Sequence, residues 1–402
     1  MRFTDERKWF HEKRFGMFVH WGVYAVAGVH EQIWWRYGMA ASEYAKLPPQ
    51  FHQRAFDPEQ WLDLAQEAGM EYLVFTTKHH DGFCLWDTAE TDWNVMHTPY
   101  GKDIVGMLAE ACHRRNFPLE LYYSCVDWHH PAYPNQGRHH EIQTDPTRHN
   151  MEEYVAFVKR QIRELCTNYG TIHGIWWDMN VDRVREPSMR EMIRELQPCA
   201  IFNNRGYDEG DYTTPEREFD PEHASPESHN AFEKPTEACQ SVMVNSWGYR
   251  RGDDLHYPSY LIRSLDSNLA RQGNYLLNVG PDADGRIPGE QASILRTVGN
   301  WLRPVRQAFP MTGVPVALED PRLIALRDGE HLYVHCPFGL NADFVSLAPL
   351  CNKARSATLL NTGDALRFSN EEVPYHIGQG HFLRIQGIPE VPSPVLDIIL
   401  EP

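Results

Sequence analysis

The chain has 402 residues, 42% of them hydrophobic and 23% charged, with a formal net charge of −17. That length accommodates one large domain and a smaller one. The acidic balance, with no long basic run, argues against nucleic acid or an anionic membrane as partner, because phosphate binding needs clustered Lys and Arg. No uninterrupted apolar run approaches the length of a membrane span. The opening Met1-Arg2-Phe3-Thr4-Asp5-Glu6 has no apolar core followed by a small-residue cleavage site, so a cytoplasmic location is expected. The eight cysteines form no CxxC pair, which fits free thiols in a reducing compartment. Aromatic residues make up 12% of the chain, a surplus suited to large core side chains and to stacking on flat ligands.

Phe15 to Gly22 reads as a first buried strand ending in polar His20. The aromatic segment Val29 to Tyr37 reads as a loop over the mouth of a barrel. A helix follows, with Asp57 as N-cap, Pro58 at its first position and Gly69 just past its end. Its apolar residues Trp61, Leu64, Ala65 and Ala68 share one face. Strand two, Tyr72 to Thr77, runs into Lys78-His79-His80-Asp81-Gly82-Phe83. A helix over about 103–115 leads to strand three, Leu119 to Ser124. A longer helix from Asn150 to about Tyr169 opens with capping-box spacing between Asn150 and Glu153. The next strand, around Gly174-Ile175-Trp176-Trp177-Asp178, is an apolar run that ends in a carboxylate.

A helix over 188–196 precedes the strand 200–205. Residues 206–236 read as a long, polar, Pro-rich loop of the kind that is usually functional or disordered. A strand near 241–245, a helix near 260–270, a strand over 275–279 and a helix near 289–302 complete the series. Alternating strands and helices call for a parallel sheet with helices outside it. The expected fold class is α/β, a (β/α)8-like (TIM) barrel with about seven strands recognisable and an irregular second half. An open doubly wound sheet is the alternative, but no Gly-x-Gly-x-x-Gly follows the first strand. After about Pro310 the pattern changes to short strands, with a hairpin around Asp328-Gly329. The expected organisation is a catalytic barrel over 1–309 and a small antiparallel β-sandwich over 310–402.

Polar residues gather at strand ends: His20, His79, His80, Tyr122, Tyr123, Asp178, Asn203, Asn204 and Arg205. Apolar strands that each end in such a residue converge on one rim, where barrel active sites lie. His79 and His80 are adjacent and there is no His-x-His or HExxH, so no metal is expected. His129-His130 and His139-His140 read as solvent-facing loop residues. Gly-x-Ser-x-Gly is absent and no Cys lies in an electropositive turn. Carboxylates remain: Asp178, Glu216 and Glu237. Paired carboxylates among histidines and aromatics suit glycoside hydrolysis.

Seven stretches, in order from residue 16 to about 280, resemble the α-L-fucosidases of glycoside hydrolase family 29. They are Gly16 to Gly22, Thr77 to Trp86, Tyr122-Tyr123-Ser124, Trp176-Trp177-Asp178, Asn204-Arg205, Ser246-Trp247-Gly248-Tyr249 and Asn274 to Pro281. The resemblance implies an exo-acting retaining enzyme acting on terminal α-linked L-fucose, with no cofactor and a fucosylated oligosaccharide or glycoconjugate as substrate. It makes Asp178 the nucleophile, and His20, Trp34, His79, His80, Tyr122, Trp176, Arg205 and Trp247 the substrate-binding set. It offers Glu216 as general acid/base, with Glu237 second. One region departs from the pattern. Many relatives carry a Glu-Trp pair after strand one; here Trp34 matches but Ile33 occupies the Glu position, unless Glu31 reaches in from a shifted register. A binding protein on an inactivated scaffold, or a glycosidase of altered sugar specificity, are therefore the alternatives. The oligomeric state is not legible.

Overall fold

The computed structural model describes residues 3–135, 142, 144–217, 232–350, 352–372 and 381–402. His139, His140 and much of the expected 206–236 loop lie outside the described residues. Packing divides the chain into two compact units. The first comprises Met1–Thr214, Cys239–Leu255 and Leu276–Ser293; the second comprises Pro215–Ala238, His256–Tyr275 and Ile294–Pro402.

Seven strands form one sheet: β1 (Phe15–Val19), β2 (Tyr72–Lys78), β3 (Leu119–Ser124), β4 (Gly174–Asp178), β5 (Ile201–Phe202), β6 (Glu237–Ser241) and β7 (Asn274–Val279). Their order is β5-β4-β3-β2-β1-β7-β6. The run from β1 through β5 pairs in parallel, each strand beside its predecessor in sequence, and helices connect them. Every residue of β1, β2 and β3 is buried, as expected of strands covered on both faces. Phe18, Val74, Tyr122, Trp176 and Ile201, one from each of these five strands, pack together with Leu276 in a single apolar cluster. This is the expected α/β barrel-type sheet, with seven strands among the described residues.

The connecting helices start where local chemistry requires. Asp57 accepts the Glu59 N–H at 3.0 Å, Asp103 accepts the Gly106 N–H at 2.7 Å, and Asn150 accepts the Glu153 N–H at 3.2 Å. Gly69, past the first of these helices, has φ 75°, the left-handed C-cap that glycine adopts without strain.

Three expectations need correction. The segment expected as a loop over 29–37 contains a helical turn, Ile33–Arg36. Glu237, expected in a loop, opens β6 and is fully buried. The strand expected near 241–245 is β6, earlier in the chain. Its residues, Glu-Ala-Cys-Gln-Ser, have little β preference and no apolar alternation, so neither pattern nor propensity marks them.

The second unit carries the C-terminal strands: β8 (Val314–Val316), β9 (Ile324–Asp328), β10 (His331–His335), β11 (Phe344–Leu350), β12 (Ala354–Leu359), β13 (Asp364–Ala365), β14 (Arg367–Glu372), β15 (His381–Gln386) and β16 (Val395–Leu400). They form a six-stranded sheet, β13-β12-β16-β10-β9-β8, and a three-stranded sheet, β11-β15-β14. Every pairing within them is antiparallel among the described residues. Alternate residues of both sheets share one core, Leu332 and Val334 of β10 and Leu396 and Ile398 of β16 meeting Leu347, Leu383 and Ile385.

Candidate active site

The pairing of β3 with β4 sets Tyr122 beside Trp176 and Ser124 beside Asp178. Side chains alternate along a strand, so these four project to the same side. β4 ends on Asp178, and the next residue, Met179, has φ 61°. A bulky side chain in that left-handed region costs roughly 1–2 kcal/mol. The turn is fastened from both ends. The Asn180 amide donates to the Val184 and Gly206 carbonyls at 2.7 and 2.9 Å and accepts the Val184 N–H at 3.0 Å. The Asp178 carbonyl accepts the Cys125 N–H at 2.7 Å.

Each Asp178 oxygen has its own donor. Tyr122 Oη donates to Oδ2 at 2.8 Å, and Arg205 Nη1 to Oδ1 at 3.1 Å. Arg205 is itself held: Nε donates to Thr214 Oγ1 at 2.8 Å, Nη2 to the Thr214 carbonyl at 2.9 Å, and the guanidinium lies 5.0 Å from the Trp176 ring centroid. Burial first, then the Asp178 charge, pushes the Tyr122 phenol well above its ordinary value, so it remains a donor. The Asp178 side chain is 13% exposed, enough to meet a ligand.

The expected histidines and aromatics converge beside this carboxylate. His80 Nε2 is 3.8 Å from Asp178 Oδ2. His79 follows β2 in a turn, its ring centroid 4.1 Å from that of His80 and stacked with Tyr122 at 5.6 Å. The His20 ring lies 5.4 Å from Tyr122, 5.6 Å from His79 and 5.3 Å from Trp247. Trp34 is buried against Tyr44 at 4.5 Å and meets Trp128, which in turn packs edge-on against His80. The structure thus gathers His20, Trp34, His79, His80, Tyr122, Trp176, Asp178, Arg205 and Trp247 in one unit.

Glu31, the alternative to Ile33 in the departing segment after strand one, is fastened through one carboxylate oxygen. It is 1% exposed, and its Oε2 accepts from Ser246 Oγ at 2.7 Å, the Trp247 N–H at 3.0 Å and the Gly248 N–H at 3.1 Å. Burial alone would raise its pKa, but the His30 charge and these hydrogen bonds outweigh it and hold the carboxyl below its ordinary value. Glu31 therefore clamps the turn that carries Trp247, and Ile33 is buried.

Both candidate acids fall in the second unit. Glu216 is half-buried, two residues after Thr214, and Glu237 is 0% exposed on β6. His129 is exposed and stacked on Trp93, and half-buried His130 packs on Phe157; neither joins the Asp178 cluster in these contacts. Burial pushes the Cys125 thiol far up, which disfavours its thiolate. Among the described residues no group of three or more His, Cys, Asp or Glu could hold a metal ion.

Several participants escaped the sequence reading. Ser124 and Asn278 stood inside recognisable stretches without an assigned task. Thr214 had no assigned task although it holds Arg205, nine residues before it; Tyr44 and Trp128 carried no sequence signal, since each acts through a contact with a segment distant in sequence.

Comparison with known proteins agrees with this geometry. The family model for alpha-L-fucosidase matches residues 3–305. Tissue alpha-L-fucosidase of Rattus norvegicus is 32% identical over 327 residues, covering 74% of this chain and 68% of that protein. Alpha-L-fucosidase isoenzyme 1 from Paenibacillus thiaminolyticus superposes with a TM-score of 0.84 at 30% identity, over 99% of both chains. The Thermotoga maritima alpha-fucosidase in complex with fucose gives a TM-score of 0.77 at 26% identity, over 98% of this chain and 97% of that one. With its family model matched over three quarters of its length, this chain belongs to the alpha-L-fucosidases, glycoside hydrolase family 29.

Proposed function

We propose that the protein is an exo-acting retaining α-L-fucosidase that releases terminal α-linked L-fucose from glycans. The observation that carries this reading is the Asp178 carboxylate at the end of β4, each oxygen held by its own donor amid imidazole and indole rings. Asp178 attacks the anomeric carbon and forms a covalent fucosyl ester as the glycosidic oxygen leaves. Glu216 protonates that oxygen and then deprotonates the water that cleaves the ester, so configuration is retained. Glu237 is the second choice for this proton transfer. His20, His79, His80, Trp34 and Trp247 bind the sugar, and Tyr122, Arg205 and Trp176 orient the nucleophile. Residues 1–309 carry the reaction, and 310–402 form the accompanying sandwich.

The alternative of altered sugar specificity is not favoured, since the matching family model and the relatives are alpha-L-fucosidases. The deciding experiment is hydrolysis of a panel of aryl glycosides by wild type and by Asp178→Gly. Wild type should prefer the α-L-fucoside. The variant should lose at least a thousandfold in kcat, about 4 kcal/mol of barrier. Azide should restore part of the rate as the β-fucosyl azide. Wild-type turnover by Asp178→Gly would end this reading.

A further inference from the structure

Two of the rim histidines have one ring nitrogen facing a group that requires a proton on it. Asn278 Nδ2 lies 2.8 Å from the Trp247 carbonyl and 3.1 Å from Ser241 Oγ. A carbonyl can only accept, so the amide NH2 faces it and Oδ1 faces His20 Nδ1 at 2.7 Å. That imidazole nitrogen must therefore carry the proton. The same logic holds across the site. Ser124 Oγ donates its only proton to the Val126 carbonyl at 2.7 Å. The hydroxyl can then only accept from His80 Nδ1, also at 2.7 Å. Ser124, Asn278 and both imidazoles are buried, so water does not compete for these bonds.

We propose that Ser124 and Asn278 are positioning residues that lock His80 and His20 with the proton on Nδ1, so that each turns Nε2 as an acceptor toward a sugar hydroxyl. The inference rests on the fucosidase reading for its ligand. It adds that the sugar must supply a donated O–H at two positions. A pyranose bearing hydrogen or fluorine at either position cannot donate that bond and should bind more weakly. For His80 the arrangement has a second effect. An Nε2 without a proton cannot form an ion pair with Asp178, 3.8 Å away, so the carboxylate stays available to the sugar. His79 also lies beside both rings, with Tyr122 and Trp247 beside His20 and Trp128 beside His80.

The test is ring-nitrogen NMR of the full chain labelled with 15N-histidine, at about pH 8, above the ordinary imidazole pKa. His20→Ala and His80→Ala assign the two residues by loss of their peaks. Both rings should show a protonated Nδ1 and an unprotonated Nε2. A protonated Nε2 on either ring at that pH overturns the proposal, whatever the variants do. Ser124→Ala should raise KM roughly three- to tenfold, with a smaller change in kcat, and should change the His80 nitrogen pattern. An unchanged pattern in that variant would show that Ser124 does not set it. The fucosidase reading fails separately, by absence of aryl α-L-fucoside hydrolysis in the wild type.

Discussion

Replacing Glu31 separates the sugar contact that the sequence left open from the clamp on the 246–248 turn seen in the structure. In Glu31→Ala the Ser246 hydroxyl can turn to the Gly248 carbonyl, already 2.7 Å away. The Trp247 and Gly248 N–H groups, now 3.0 and 3.1 Å from Oε2, lose their acceptor. A buried donor left unsatisfied costs roughly 1–3 kcal/mol, so two cost ~2–6 kcal/mol. The penalty for burying the carboxylate is refunded in part, leaving ~3 kcal/mol. At about 2–4 °C per kcal/mol for a unit of this size, melting should fall by ~6–12 °C. Glu31→Gln keeps an acceptor oxygen and should lose about half as much. The gap between wild type and Glu31→Gln also depends on pH. Because the folded carboxyl sits below its ordinary value of 4.5, the stabilisation is full above that pH and is lost as pH falls through the lower, folded value. Calorimetric melting at several pH values, with kcat and KM on an aryl α-L-fucoside, is the assay. A Glu31→Ala protein with unchanged melting and a tenfold higher KM would refute the clamp and restore the sugar contact.

The two candidate acids should separate by leaving group. Glu216→Ala should lower hydrolysis by roughly 10²–10⁴ for a poor leaving group and little for a dinitrophenolate; the same signature in Glu237→Ala instead would reassign the acid. Met179→Gly should melt higher than Met179→Ala by about 1 kcal/mol, since only glycine relieves φ 61°; equal melting would show that no strain is stored beside Asp178. Burial pushes the Asp81 carboxyl up to about 6, against the hydrogen bonds it accepts from Tyr44 and the Phe83 N–H. Its raised value means wild type is favoured below pH ~4 and loses that advantage as pH rises through 6. Asp81→Asn should flatten this part of the pH–stability curve, and chemical denaturation of both proteins between pH 4 and 7 would measure it.

The parallel strands were legible because burial on both faces writes them as unbroken apolar runs, and their helices because Asp57, Asp103 and Asn150 mark where each begins. The nucleophile candidate was legible for the same reason: the apolar run of β4 ends on Asp178. What could not be read is whatever depends on contacts remote in sequence. Glu31 and the 246–248 turn are separated by more than two hundred residues, so nothing near Glu31 announces that its carboxylate fastens that turn. β6 failed for a different reason, because its position in the sheet overrides a sequence with no strand signature of its own.

The most distinctive stretch of the chain, Lys78-His79-His80-Asp81-Gly82-Phe83, makes the same distinction at close range. Only the two histidines face Asp178 and the rings around it. Lys78 pairs with Asp127 at 2.8 Å beneath the Tyr123 ring, fully buried. Asp81 accepts from Tyr44, the ring on which Trp34 stacks. Gly82 turns at φ 72° against Asp127, where a side chain would collide with that carboxylate. A buried ion pair stabilises little by itself, but removing one partner leaves an uncompensated charge. The stretch is therefore constrained more by construction than by chemistry: four of its residues build the turn that lets two adjacent imidazoles, which a strand would send to opposite faces, point the same way.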